Sequence, residues 1–310
     1  MSTKTILHPP HVRLVIRVGV TGHRPNGLHE ADIDRLRNRI REVLAEISNM
    51  AQIIYSDAIE YYEGPSPILR LISPLAEGSD RLAAFEAIDL GYELQCPLPF
   101  AQEDYEKDFI TAESKNEFND LIKQTAQILE IDGQILNKNA AYHGAGKIVL
   151  NQCDVLLAIW DGDETIIAEG GTSQIIQEAK ENMIPIIWIN AKAEHDVCLI
   201  NSPNEWKIGL RKYLNNILIP DESLKMIQAY FAEKQRKFNY GFPYIFFRNL
   251  LGDSKFRIPK LLLSDYEQAT QAEWQKDIWG KSADFSTKMK QQIENGFMKY
   301  YAWADKLADY

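Results

Sequence analysis

The sequence predicts an α/β chain: a doubly wound, mostly parallel sheet with helices on both faces, followed by a C-terminal helical extension. Strand-like runs alternate with helical runs from Arg13 to Asn190. Two of the runs, DVLLAIW (Asp154–Trp160) and IPIIWI (Ile184–Ile189), are apolar without alternation. Central strands covered on both faces have that composition. After Asn190 the alternation stops and aromatic clusters take over.

The elements follow in order. RLVIRVGV (Arg13–Val20) is rich in β-branched residues and runs into the break TGHRPNG. Ile33, Leu36, Ile40, Val43, Leu44 and Ile47 then recur at helical spacing. Strand, glycine turn and helix make the first half of a βαβ unit. LRLIS (Leu69–Ser73), the turn PLAEGSD and the helix RLAAFEAIDL repeat the pattern, with Gly91 placed as a C-terminal cap. A third strand spans Tyr92–Phe100, and residues 101–137 read as helix and loop. A helix from Asn139 to Gln152 leads into the DVLLAIW strand. GGTSQIIQEAKEN opens another helix, and IPIIWIN closes the series.

This places a first domain at residues 1–200 and a mostly helical extension at 201–310. In the extension SDYE (Ser264–Glu267) reads as a capping box. Met289, Ile293 and Phe297 recur every four residues along one aromatic-rich final helix.

Composition narrows the function. The formal net charge is −10, which disfavours a broad nucleic-acid or anionic-membrane surface. A local anion site remains compatible with it, because backbone amides and one or two arginines suffice. Cys96, Cys153 and Cys198 form no CxxC pair or metal spacing, so they read as thiols in a reducing, cytoplasmic setting, with no metal expected. No apolar window reaches membrane-spanning length.

Three glycine-bearing turns follow strands and precede helices, where open parallel sheets bind ligands. The first is Thr21-Gly22-His23-Arg24, with a hydroxyl and a planar cation; His23 reads equally as a ligand contact or a structural hydrogen bond. The second is Glu77-Gly78-Ser79-Asp80, where Glu77 suits ribose hydroxyls or acid–base chemistry and Asp80 suits either a ligand or a helix cap. The third is Gly170-Gly171-Thr172-Ser173, two glycines and two hydroxyls at a helix start, a phosphate cradle. Asp161 is placed to accept from a ribose, and Trp160 either stacks on a base or packs in the core. Phe100 is a second candidate for the base. No P-loop, GxGxxG, GxSxG or HExxH run is present.

VGVTGHRP, SPLAEGSDRLA, PLPF, CDVLLAIWDG and GGTSQIIQEA, in this order, resemble the SLOG superfamily of Rossmann-like domains, over roughly Val12–Asn190. The resemblance implies a pocket for nucleotides or NAD-derived molecules, with the three turns as its loops. It also implies relatives of two kinds, sensors in bacterial antiviral defence (SLOG–SLATT or Thoeris-like systems) and Lonely Guy phosphoribohydrolases. The enzymes carry PGGxGTxxE, whereas this chain reads EGGTSQIIQE, with Glu178 at a shifted position. The expected function is therefore a sensor domain for a second messenger such as ADP-ribose or cyclic ADP-ribose, without a cofactor. It would form a homo-oligomer, or act through a membrane effector as partner. The alternative is an N-glycosidic hydrolase of nucleoside monophosphates using Glu77.

Overall fold

The computed structural model describes residues 9–29, 31–163, 170–192, 198–200, 210–218, 221–233, 263–279 and 286–308. The described chain divides into two compact units. Arg13–Pro220 forms one, and the residues before it group with those from Asp221 onward.

The first unit contains β1 (Val15–Gly22), α1 (Ile33–Asp57), β2 (Ile68–Ile72), α2 (Ser79–Asp89), β3 (Glu93–Leu98), α3 (Gln102–Tyr105) and α4 (Ala112–Lys123). It continues with β4 (Thr125–Glu130), α5 (Lys138–Gln152), β5 (Val155–Trp160), α6 (Thr172–Glu181), β6 (Ile186–Asn190), β7 (Cys198–Ile200) and α7 (Leu210–Leu218). One seven-stranded sheet has the order β4-β3-β2-β1-β5-β6-β7. All neighbours are parallel except β6 and β7. This is the Rossmann-like doubly wound fold that the strand–helix alternation predicts.

Strand order reverses between β1 and β5. The chain winds outward through β2, β3 and β4, then returns to pair β5 with the other edge of β1, in register from Val18↔Val155 to Gly22↔Ile159. The helices leaving those two strand ends diverge, and a crevice opens at their carboxyl edge. Side-chain parity in β5 shows how both faces are filled. Leu157 and Ile159 join the core layer that contains Leu36, Ile40 and Leu44 of α1. Leu156, Ala158 and Trp160 pack with Val149 of α5 and Ile175, Ile176 and Ala179 of α6.

α1 begins where Asp32 accepts a hydrogen bond from the Arg35 amide at 3.0 Å. Its stripe Leu36, Ile40, Val43, Leu44 and Ile47 is fully buried, as the spacing predicts. α2 is tied to α1 through the Glu86 carboxylate, which takes Arg37 and Arg41 at 2.8 Å each.

The structure of this unit differs from the sequence expectations in two places. Thr21 and Gly22 are the last residues of β1, not part of a turn. Within 101–137, read as helix and loop, lies the edge strand β4. Its residues are mostly exposed, so no buried face writes an alternation into the sequence.

In the second unit, α8 (Asp221–Phe231), α9 (Leu263–Trp274), α10 (Thr287–Gly296) and α11 (Met298–Ala308) surround a small core of Tyr266, Ala302 and Trp303. Here the expected single final helix is broken at Phe297, whose φ of −123° ends α10. Met289 and Phe297 are exposed, so their four-residue repeat does not mark the buried face. α9 starts ahead of Ser264, the expected N-cap. Among the described residues no helix is long and apolar enough to cross a membrane, and no three His, Cys, Asp or Glu gather as a metal site.

Candidate functional site

The three turns meet at the carboxyl end of β1. Gly22 is the point of closest approach, because a Cβ there would lie 2.5 Å from Ser79 Cβ and 2.6 Å from the Ile159 carbonyl oxygen. The Thr172 hydroxyl donates to the Gly22 carbonyl at 2.9 Å, which fixes the start of α6 against β1. The Ser79 amide and hydroxyl both donate to the His23 carbonyl, at 3.1 and 2.9 Å, and fix the start of α2.

A cavity of about 370 Å³ opens beside this junction, within the usual range for small-molecule sites. It is lined by Thr21, Gly22, Arg24, Gly170, Gly171 and Thr172 with Asn139 and Tyr142 of α5. Asp80, Tyr105, Pro74, Ala76 and Pro99 line it as well.

The lining around Gly170 and Arg24 suits an anion. Gly170 holds a positive φ of 74°, and a Cβ on it would strike the Asn139 carbonyl oxygen at 2.6 Å, so glycine is required for this turn. Gly171 caps α6 with no side-chain hydrogen bond, which leaves first-turn amides at the positive end of the helix. The Arg24 guanidinium lies 4.9 Å above the Tyr142 ring. Among the described residues it has no carboxylate partner. Tyr142 is held in turn by Asp108, which accepts from its hydroxyl and from Lys138.

Asp80, also in the lining, is buried. Burial pushes its carboxyl up to about 6, against the opposing hydrogen bonds from Ser73 and the Ala76 amide and the pull of Arg24 and Arg81. The folded state therefore favours the protonated form. The contribution to stability is full below the unfolded value near 3.9 and declines as pH rises to about 6.

Of the other expected residues Thr21 also lines the cavity, and the rest lie around it and do not line it. His23 pairs with Asp161 at 2.9 Å, and Lys192 reaches the same carboxylate at 2.9 Å. Partial burial raises the Asp161 carboxyl, but Lys192, His23 and the Asp163 amide outweigh it and hold it at about 2. These contacts clasp the ends of β1 and β5. Glu77 turns outward to accept from the Ser114 hydroxyl, which Arg81 also contacts at 2.8 Å. Gly78 precedes α2 and lies against the His23 carbonyl. The Ser173 hydroxyl donates to the Asp163 carbonyl at 3.2 Å. Glu178 pairs with His143 of α5 at 2.5 Å.

Trp160 is 3% exposed and packs against Trp188 at 5.9 Å, so its ring offers no free face to a base. Phe100 is 2% exposed within a cluster of Tyr105 and Tyr142. Sequence reasoning missed Asn139, Tyr142, Gly146 and Val149, which line the cavity from one face of α5. Their three- and four-residue spacing is the signal that could have found them. Tyr105 comes from the four-residue helix α3 and carries no comparable signal.

The clasp makes a pH prediction. Asp161 lies below its unfolded value near 3.9, so its stabilisation is present above that value and is lost as pH falls toward 2. The melting temperature of the wild type should exceed that of Asp161→Asn at pH 6, and the gap should narrow between pH 4 and pH 2. Thermal denaturation followed by circular dichroism measures it, and a constant gap would refute the clasp.

No family model and no curated protein matches the chain. Three solved structures are similar at low identity. DNA processing protein A (DprA) from Streptococcus pneumoniae is 15% identical with a TM-score of 0.37, over 66% of this chain and 56% of that one. DNA processing protein A from Helicobacter pylori, a structure concerned with its single-stranded DNA binding mode, is 14% identical with a TM-score of 0.36, over 66% and 80%. The structural-genomics target TM1055 is 12% identical with a TM-score of 0.32, over 56% and 72%. The chain thus spans little more than half the length of the Streptococcus protein it matches. The assignment to the doubly wound class rests on the strand order of this chain itself.

Proposed function

We propose that this protein is a sensor that binds a nucleotide-derived messenger of the ADP-ribose or cyclic ADP-ribose class at the switch point between β1 and β5. One observation carries the reading: the uncapped start of α6 and an arginine without a carboxylate partner, among the described residues, line one cavity. Helix amides and a forked guanidinium are complementary to phosphate oxygens. Neither Glu77 nor Glu178 lines the cavity, and both carboxylates are engaged elsewhere, which favours binding over hydrolysis.

As a sensor the protein would report occupancy through a second copy or an effector partner in antiviral defence. A ligand does this only by binding two arrangements with different affinity. Titration calorimetry of the full chain with ADP-ribose, cyclic ADP-ribose and AMP tests the site. Saturable binding is expected, together with a ligand-dependent elution volume in gel filtration. A folded protein that binds none of the three overturns the proposal.

A further inference from the structure

Two further side chains in the cavity lining have a chemistry of their own. Tyr105 is 1% exposed, and its hydroxyl makes no hydrogen bond among the described residues although its ring touches Phe100, Phe109, Phe118 and Tyr142. A buried phenol normally finds a partner, because leaving it unpaired forfeits its hydration. This one lines the cavity, so the partner it lacks is a ligand group.

Asp80 lines the same cavity, 5% exposed, without a salt-bridge partner among the described residues. Ser73 Oγ donates to its Oδ2 at 2.9 Å, and the Ala76 amide donates to it as well. A carboxylate offers about four acceptor positions, so two remain. Pro74, Ala76 and Pro99 beside the pair carry no charge, and Arg24 and Arg81 are the cations whose pull Asp80 already feels. A group with an anionic charge would meet a buried carboxyl there, whereas a neutral donor–acceptor group satisfies both side chains.

We infer that Tyr105 and Asp80 select the sugar of the ligand, by hydrogen bonding an unsubstituted ribose diol, and reject sugars that lack the 2′-hydroxyl or carry a phosphate on it. One hydroxyl donates to Asp80 and the other pairs with Tyr105, while the 5′-phosphate sits at the α6 end. The high carboxyl pKa of Asp80 fits a site built for neutral partners. The inference rests on the phosphate site proposed above but names a different pair of residues.

The test titrates the full chain with ribose 5-phosphate, 2-deoxyribose 5-phosphate and ribose 2,5-bisphosphate, followed by NMR. The wild type should bind ribose 5-phosphate about tenfold more tightly than either analogue, the loss expected for one hydrogen bond to a buried group. Tyr105→Phe removes a hydroxyl with no protein partner among the described residues, so the fold should stand while the preference over the deoxy sugar falls to about threefold or less. Asp80→Asn should narrow the same gap; Tyr105→Phe decides the matter where that variant fails to fold. Equal binding of the two sugars by the wild type overturns the inference and leaves the phosphate site standing. So does a preference unchanged in Tyr105→Phe. Failure of ribose 5-phosphate to bind also overturns it, and ADP-ribose binding then shows whether the nucleotide reading falls with it.

Discussion

Gly22→Ala should both destabilise the protein and remove its binding site. The added methyl has nowhere to go, because the Ile159 carbonyl is backbone and Ser79 is the fully buried first residue of α2. Overpacking of this kind costs about 3 kcal/mol when strands and a helix must move apart. For a unit of this size that lowers the melting temperature by about 6–12 °C. Relief of the clash separates β1, β5 and α2, and so displaces the carboxyl end of β1 that the cavity is built on. Nucleotide binding should therefore be lost even at temperatures where the variant is folded. Gly144→Ala gives the contrast, since nothing lies within 4 Å of a Cβ there and alanine is the better helix former. A Gly22→Ala protein that melts and binds like the wild type would contradict the geometry of the junction.

Arg24→Ala should act in the opposite way, on binding alone. Arg24 stacks on Tyr142 and makes no salt bridge among the described residues, so its removal breaks no ion pair and only withdraws its pull on Asp80. Stability should change by no more than about 0.5 kcal/mol, as for surface substitutions. Loss of one or two charge-assisted hydrogen bonds to phosphate should weaken ADP-ribose binding about 10- to 100-fold. Arg24→Lys keeps the charge without the planar fork and should recover only part of that loss. Calorimetry beside thermal denaturation separates the two effects. Unchanged affinity in Arg24→Ala would remove the guanidinium from the site.

The strand–helix rhythm of residues 13–190 was legible because each central strand is apolar on both faces and each turn after it carries glycine. The junction was legible for the same reason, since Gly22, Gly170 and Thr172 stand where backbones must approach or a helix must start. Trp160 shows what local reading leaves open. Its fate depends on parity along β5, and sharing a face with Leu156 and Ala158 puts it under α6. His23 and Asp161 look like ligand groups singly, but β1 and β5 bring them within 2.9 Å of each other. Tyr105 reaches the cavity from the short α3, so only tertiary packing places it.

The return of the chain to the open side of β1 has a consequence for its birth. The hydroxyl that pins α6 to β1 belongs to a residue 150 positions later than its acceptor. A nascent chain that has emerged only as far as β4 can pair β1 with β2, but the opposite edge of β1 stays bare. Ligand cannot help that early intermediate to fold, because the cradle that would hold it has not yet been translated.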